Sequence, residues 1–109
     1  MAGILWAKPF VVGFAQDTLA NDWRKAQVNE ALKAAKEYKN LQIIVKDAKT
    51  KPAIQLLHVD EFIAQGVDGI IVSPFDTPLM DKALKKAQEK GIKIVLLSRK
   101  TSGDFLIFL

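Results

Sequence analysis

Short runs of consecutive apolar residues alternate along this chain with longer stretches whose apolar positions recur at helical spacing. Residues 10–16 (Phe-Val-Val-Gly-Phe-Ala-Gln) read as a buried strand, and residues 41–47, centred on Ile43, Ile44 and Val45, as a second. Between them, Asn21 or Asp22 is placed to cap a helix running to about Tyr38, with Val28, Ala31, Leu32, Ala35 and Tyr38 on one face. Thr50 followed by Pro52 marks the start of a second helix, which carries Ile54, Leu57, Phe62 and Ile63 inward and stops at Gly66. A third strand over 69–73 ends at Pro74. Asp76 or Thr77 then caps a third helix, with Pro78 in its first turn and Leu79, Ala83, Leu84 and Ala87 on its buried side. Gly91 closes that helix, residues 92–97 make a fourth strand, and the apolar residues 105–109 make a fifth.

The order β-α-β-α-β-α-β-β, with nearly continuous apolar strands that need a helix on each face, predicts an α/β fold. Right-handed crossovers turn it into a flavodoxin-like, doubly wound, mainly parallel sheet of about five strands. The connection from Arg99 to Phe105 is too short for a helical crossover, so the fifth strand is either an antiparallel return or an extended run back along the sheet. No helix follows to cover it. An uncovered Phe-Leu-Ile-Phe-Leu edge invites association, which points to a homodimer through this strand or to a larger whole.

A chain of 109 residues suits one domain: a single lobe over 9–109, preceded by an extension over 1–8. Half of the residues are apolar and no apolar run approaches the ~20 residues of a membrane-spanning helix. Without cysteine there is no disulfide, thiolate metal site or Cys nucleophile, and the single histidine, His58, reads as a packed residue of an amphipathic helix. The net charge of +4 is carried mostly by lysines, among them Lys33, Lys36 and Lys39, then Lys82, Lys85, Lys86 and Lys90. At helical spacing among Glu and Asp they form solvated faces; no concentrated stripe with stacking aromatics suggests nucleic acid. Met-Ala-Gly-Ile-Leu-Trp-Ala at the start lacks the basic flank of a signal peptide, which leaves a cytoplasmic protein or one whose export signal lies ahead of this numbering.

Open α/β sheets bind ligands outside the carboxyl ends of their strands, where strand order reverses. Four segments qualify: 16–24, 47–51, 73–76 and 98–103. They contain both arginines, Arg24 and Arg99, and Trp23. Arginine suits bidentate hydrogen bonding and tryptophan offers a flat apolar face, a pair fitted to a polar ring with several hydroxyls; surface ion pairing and packing at a helix start are the plainer alternative. Enzymatic readings find less. Residues 16–21 hold no glycine, against a dinucleotide fingerprint or a phosphate loop. A phospho-receiver would need an Asp where Ser73-Pro74 stands. Asp47, Asp76 and Asp104 are explained by caps and turns. No catalytic centre, metal or organic cofactor is implied.

Val-Gly-Phe-Ala-Gln (12–16) with Asn21-Asp22-Trp23-Arg24, Val-Lys-Asp-Ala (45–48), Phe-Ile-Ala-Gln-Gly-Val-Asp-Gly-Ile-Ile-Val-Ser-Pro (62–74) and Gly-Ile-Lys-Ile-Val-Leu-Leu-Ser-Arg (91–99) together resemble type I periplasmic binding proteins. The likeness is to the sugar-binding components of ABC transporters, of the ribose, galactose and galactofuranose sort, and runs from about Pro9 to Leu109. The resemblance implies the amino-terminal lobe of a two-lobed periplasmic or extracellular receptor that closes on a monosaccharide and presents it to a membrane permease. It also implies that Trp23 stacks on the sugar, that Arg24 bonds its hydroxyls, and that Arg99 grips hydroxyls after the fourth strand. There the family's Asp-Arg pair is Ser98-Arg99, and a serine lacks the charge-assisted bond of a carboxylate. Gln16, Asn21 and Ser73 are further candidates at the same mouth. A lone half-site encloses little of a sugar, so the expected binding is weak or undetectable, ~1 mM at best. Two alternatives stand beside this: a self-associating flavodoxin-like structural domain, and the effector-binding core of a LacI-type repressor, although no helix-turn-helix precedes Pro9.

Overall fold

A computed structural model of the chain describes residues 9–75, 78–97 and, by backbone alone, 107–108. In chain order the elements are β1 (Phe10–Gln16), α1 (Asp22–Ala35), β2 (Leu41–Asp47), α2 (Pro52–Gln65), β3 (Gly69–Val72), α3 (Pro78–Glu89), β4 (Lys93–Leu96) and β5 (Ile107–Phe108). The strands form one sheet in the order β2-β1-β3-β4-β5, every neighbouring pair parallel. This is the flavodoxin-like order, which reverses between β1 and β3.

The fifth strand runs parallel to β4, with Val95 opposite Ile107 and Leu96 opposite Phe108, so the antiparallel return does not form. The distance allows the parallel course. An extended chain the length of residues 98–106 reaches ~30 Å, more than the ~13 Å of a four-residue strand such as β4.

Side chains alternate across the sheet, and the register sorts them into two faces. Ala15, Ile70, Val72, Ile94 and Leu96 meet Val59, Phe62 and Ile63 of α2 and Met80, Leu84 and Ala87 of α3 in one buried cluster. Val12 and Phe14 point the other way, towards the side of Val28 and Ala35 of α1; all four are buried. Gly13 is required where it stands: a Cβ there would lie 2.5 Å from the Phe62 ring.

Helix limits follow from local chemistry. Asn21, not Asp22, caps α1, its Oδ1 accepting the Arg24 N–H at 2.8 Å. The helix ends at Ala35 rather than near Tyr38, because tighter bonds take over, Glu37 N–H to Ala34 and Tyr38 N–H to Ala35. Gly66, at φ 72°, stops α2 as expected. The second helix starts at Pro52, just after Thr50, as the sequence predicts. Lys51 occupies the cap position without a side-chain bond, and Lys49 and Thr50 both take left-handed backbone angles, φ 53° and 66°. The expected caps Asp76 and Thr77 lie outside the described residues.

Several apolar residues assigned inward face solvent instead. Leu57 is exposed because the buried stripe of α2 runs through Gln55, Val59, Phe62 and Ile63, placing residue 57 on the opposite side. Ile54 and, on α3, Leu79 lie beside their stripes and are exposed as well. On α1 the stripe is Arg24, Val28 and Ala35; Leu32 sits at its border and Tyr38 beyond its end, both exposed. The lysines of α1 and α3 lie on solvated faces, as expected. No helix among the described residues is long and apolar enough to cross a membrane.

Candidate functional site

The sheet reverses order where β1 and β3 end side by side, and the chain leaves them through Gln16-Asp17 and Ser73-Pro74. The capped start of α1 stands over this point. Its first two turns carry Arg24 and Gln27, spaced three residues apart and therefore on one side of the helix.

Arg24 is buried, only 9% exposed. Its Nε lies 3.2 Å from Asp17 Oδ1 and its Nη2 donates to Asp17 Oδ2 at 3.3 Å, a side-on pair that holds the guanidinium plane. Asp17 is itself anchored: Oδ1 accepts the Thr18 N–H at 2.8 Å, and its backbone carbonyl accepts the Thr50 N–H at 2.9 Å. The Arg24 Nη1 reaches Ser73 Oγ and Gln27 Oε1, both at 3.4 Å. Gln27 Oε1 is a point of convergence, accepting also from Gln16 Nε2 at 3.2 Å and from Ser73 Oγ at 3.4 Å. A buried cation, its carboxylate and three neutral polar groups thus form one network, with the charges matched and the dipoles turned towards them.

Of the residues singled out in the sequence, Gln16, Arg24 and Ser73 come together here, all buried. The plainer alternative for Arg24 was a surface ion pair; the pair exists, but it is buried. Trp23 is 67% exposed and stands beside the network with its indole open to solvent. Asn21 is exposed, with its carboxamide oxygen engaged as the helix cap. Ser98 and Arg99 lie outside the described residues.

Three residues of this region were not singled out as site residues. Asp17, directly after β1, gains its meaning only from the buried Arg24 beside it. Gln27 and Gln55 are polar residues on helices whose apolar positions alone mark a buried face in the sequence. Gln55 has the clearest signal, since it lies on the same stripe as Val59 and Phe62 and is fully buried.

Elsewhere, an open groove between α2 and α3, lined by Leu56, Asp60, Leu79, Lys82 and Glu89 among others, shares no residue with this network. His58 lies half-buried within α2 and forms no bond to it. Among the described residues no group of three His, Asp or Glu side chains is placed to hold a metal ion.

Comparison with known proteins gives the arrangement a setting. The family described as "Periplasmic binding protein domain" matches residues 12–107. The galactofuranose-binding protein YtfQ of Escherichia coli K12 is 33% identical over 99 residues, covering 91% of this chain and 31% of the relative. The ribose import binding protein RbsB of Bacillus subtilis 168 is 28% identical over 102 residues, 86% of this chain and 33% of the relative. Among solved structures, the crystal structure of a galactofuranose binding protein superposes with a TM-score of 0.80 at 30% identity, over 92% of this chain and 35% of that one. The chain thus spans about a third of the length of the curated relatives it matches.

Proposed function

The chain belongs to the periplasmic binding protein domain family, and from that premise we propose that it carries half of a monosaccharide site, at the carboxyl ends of β1 and β3. The matched relatives are binding proteins rather than enzymes, and this chain is read in the same class. The observation that supports the sugar reading best is the pairing of two unlike neighbours: Trp23, exposed and flat, beside Arg24, buried and clamped by Asp17. An exposed indole offers a stacking surface for the C–H face of a pyranose or furanose. A guanidinium whose plane is already fixed loses little freedom when it bonds hydroxyls. Gln16, Asn21 and Ser73 are the polar groups around them, and Ser98 with Arg99 is the further contact proposed after β4.

In this reading residues 9–109 form one lobe, with 1–8 as an extension, and correspond to the amino-terminal lobe of a periplasmic or extracellular receptor. A second lobe closes on the sugar, and the closed receptor delivers it to the permease of an ABC transporter. Binding by this lobe alone is weak, ~1 mM or weaker, because one wall of a pocket buries too little of the ligand. The homodimer expected of the apolar fifth strand gains no support from the relatives, and the proposal includes no second copy.

Saturation-transfer NMR of the 109-residue chain against a panel of pentoses and hexoses tests this. The expected result is transfer to at least one monosaccharide, lost in Arg24→Met. Transfer to none of them, or transfer that survives Arg24→Met unchanged, contradicts the proposal.

A further inference from the structure

The segment Ser73-Pro74-Phe75, where β3 leaves the sheet, is gripped from both faces. On the α1 side the Ser73 hydroxyl meets Arg24 and Gln27. On the α2 side the fully buried Gln55 carboxamide lies against the same segment from behind. Its Nε2 donates to the Ser73 carbonyl at 2.8 Å and to the Ala15 carbonyl at 3.2 Å, and its Oε1 accepts the Phe75 N–H at 3.0 Å.

The geometry is that of a missing strand partner. In an extended chain the carbonyl of one residue and the N–H of the second residue after it point the same way. One carboxamide therefore meets both Ser73 and Phe75. It does so beyond the last β1–β3 pair, Ala15 with Val72, where the Ala15 carbonyl accepts both the Ser73 N–H at 3.4 Å and the Gln55 amide. Pro74, between the two bonded residues, has no N–H of its own and is fully buried. The lead-in to the same helix reaches the other anchor of the arginine as well, through the Thr50 N–H on the Asp17 carbonyl.

We propose that Gln55 is a positioning residue for the ligand mouth: by fixing the Ser73–Phe75 segment from the α2 side, it sets the surface against which Arg24 is aligned on the α1 side. The orientation of the arginine then depends on a side chain from the opposite face of the sheet. This rests on the sugar reading of Arg24 for its functional meaning, while the coupling itself is measurable without sugar.

The test uses Gln55→Met, which keeps length and removes all three bonds, in the 109-residue chain without ligand. The expected result is a displaced Arg24 Nε–H resonance with several-fold faster exchange with water, while the amides of Leu84 and Ile94 stay in place. With sugar, the response at Arg24 weakens about tenfold. A folded variant in which the Arg24 Nε–H is unmoved overturns the proposal. If Gln55→Met does not fold, Arg24→Lys decides from the other end: the Gln55 side-chain amide pair shifts if the coupling exists and stays put if it does not. An Arg24 signal that moves in a chain that binds no sugar leaves the coupling standing and removes the sugar reading. Equal sugar binding by the original chain and Gln55→Met overturns the positioning role of Gln55 and leaves the sugar reading.

Discussion

The two faces of the sheet are built differently. Under α2 and α3 the interior is closed and, apart from Gln55, apolar, with Phe62, Leu84, Ile94 and Leu96 packed to full or nearly full burial. Among the described residues the other face has α1 alone, and its outward positions on β2, β3 and β4, Ile43, Val45, Ile71 and Val95, are only half-buried. The buried ion pair lies on this second side, at its carboxyl edge. The contrast separates two tasks: one face supplies cohesion, and the other keeps a polar mouth near water. A binding site needs both, because polar groups hold a fixed arrangement only when the scaffold beneath them is stiff.

The largest expected difference between the faces is in core truncation. Phe62→Ala should cost about 3–5 kcal/mol, as large aromatic deletions in closed cores do. Val28→Ala, under α1, removes two methyl groups and should cost about 1.5 kcal/mol. Urea midpoints of the two variants check this, and equal losses would erase the distinction. Next comes Asp17→Ala, which strands the buried Arg24 cation and should cost about 3 kcal/mol while releasing the guanidinium plane. Loss of stability below about 1 kcal/mol would mean that the pair is solvated rather than buried. Gly13→Ala follows, at about 1–3 kcal/mol, because the new methyl collides with the Phe62 ring. Combined with Phe62→Leu the cost should fall short of the sum, and simple additivity would place the clash elsewhere.

The architecture was readable in the chain because each strand and helix announces itself locally. Continuous apolar runs, a cap at Asn21 or Asp22 and the stop at Gly66 need no tertiary information. Burial on individual helices was harder. Hydrophobicity alone points Leu57 and Leu79 inward, whereas the face of a helix is set by the whole stripe, and on α2 that stripe includes a glutamine. The direction of β5 was open because its short connection carries no helical pattern and an extended strand can run either way. At the mouth, Trp23 and Arg24 stood out by residue type. Gln27 and Gln55 did not, since a glutamine on an amphipathic helix is ordinarily solvated, and only the meeting of β1, β3 and two helices makes these two structural.

The account turns on whether the open indole and the clamped guanidinium act together on a sugar. An amide-correlation spectrum of the labelled 109-residue chain, recorded with and without a pool of pentoses and hexoses, tests that most directly. The account predicts shifts concentrated at the Trp23 indole N–H and the Arg24 Nε–H, with the amides of α3 undisturbed. A dispersed spectrum that ignores every sugar, or one whose shifts gather in the groove between α2 and α3, would contradict it.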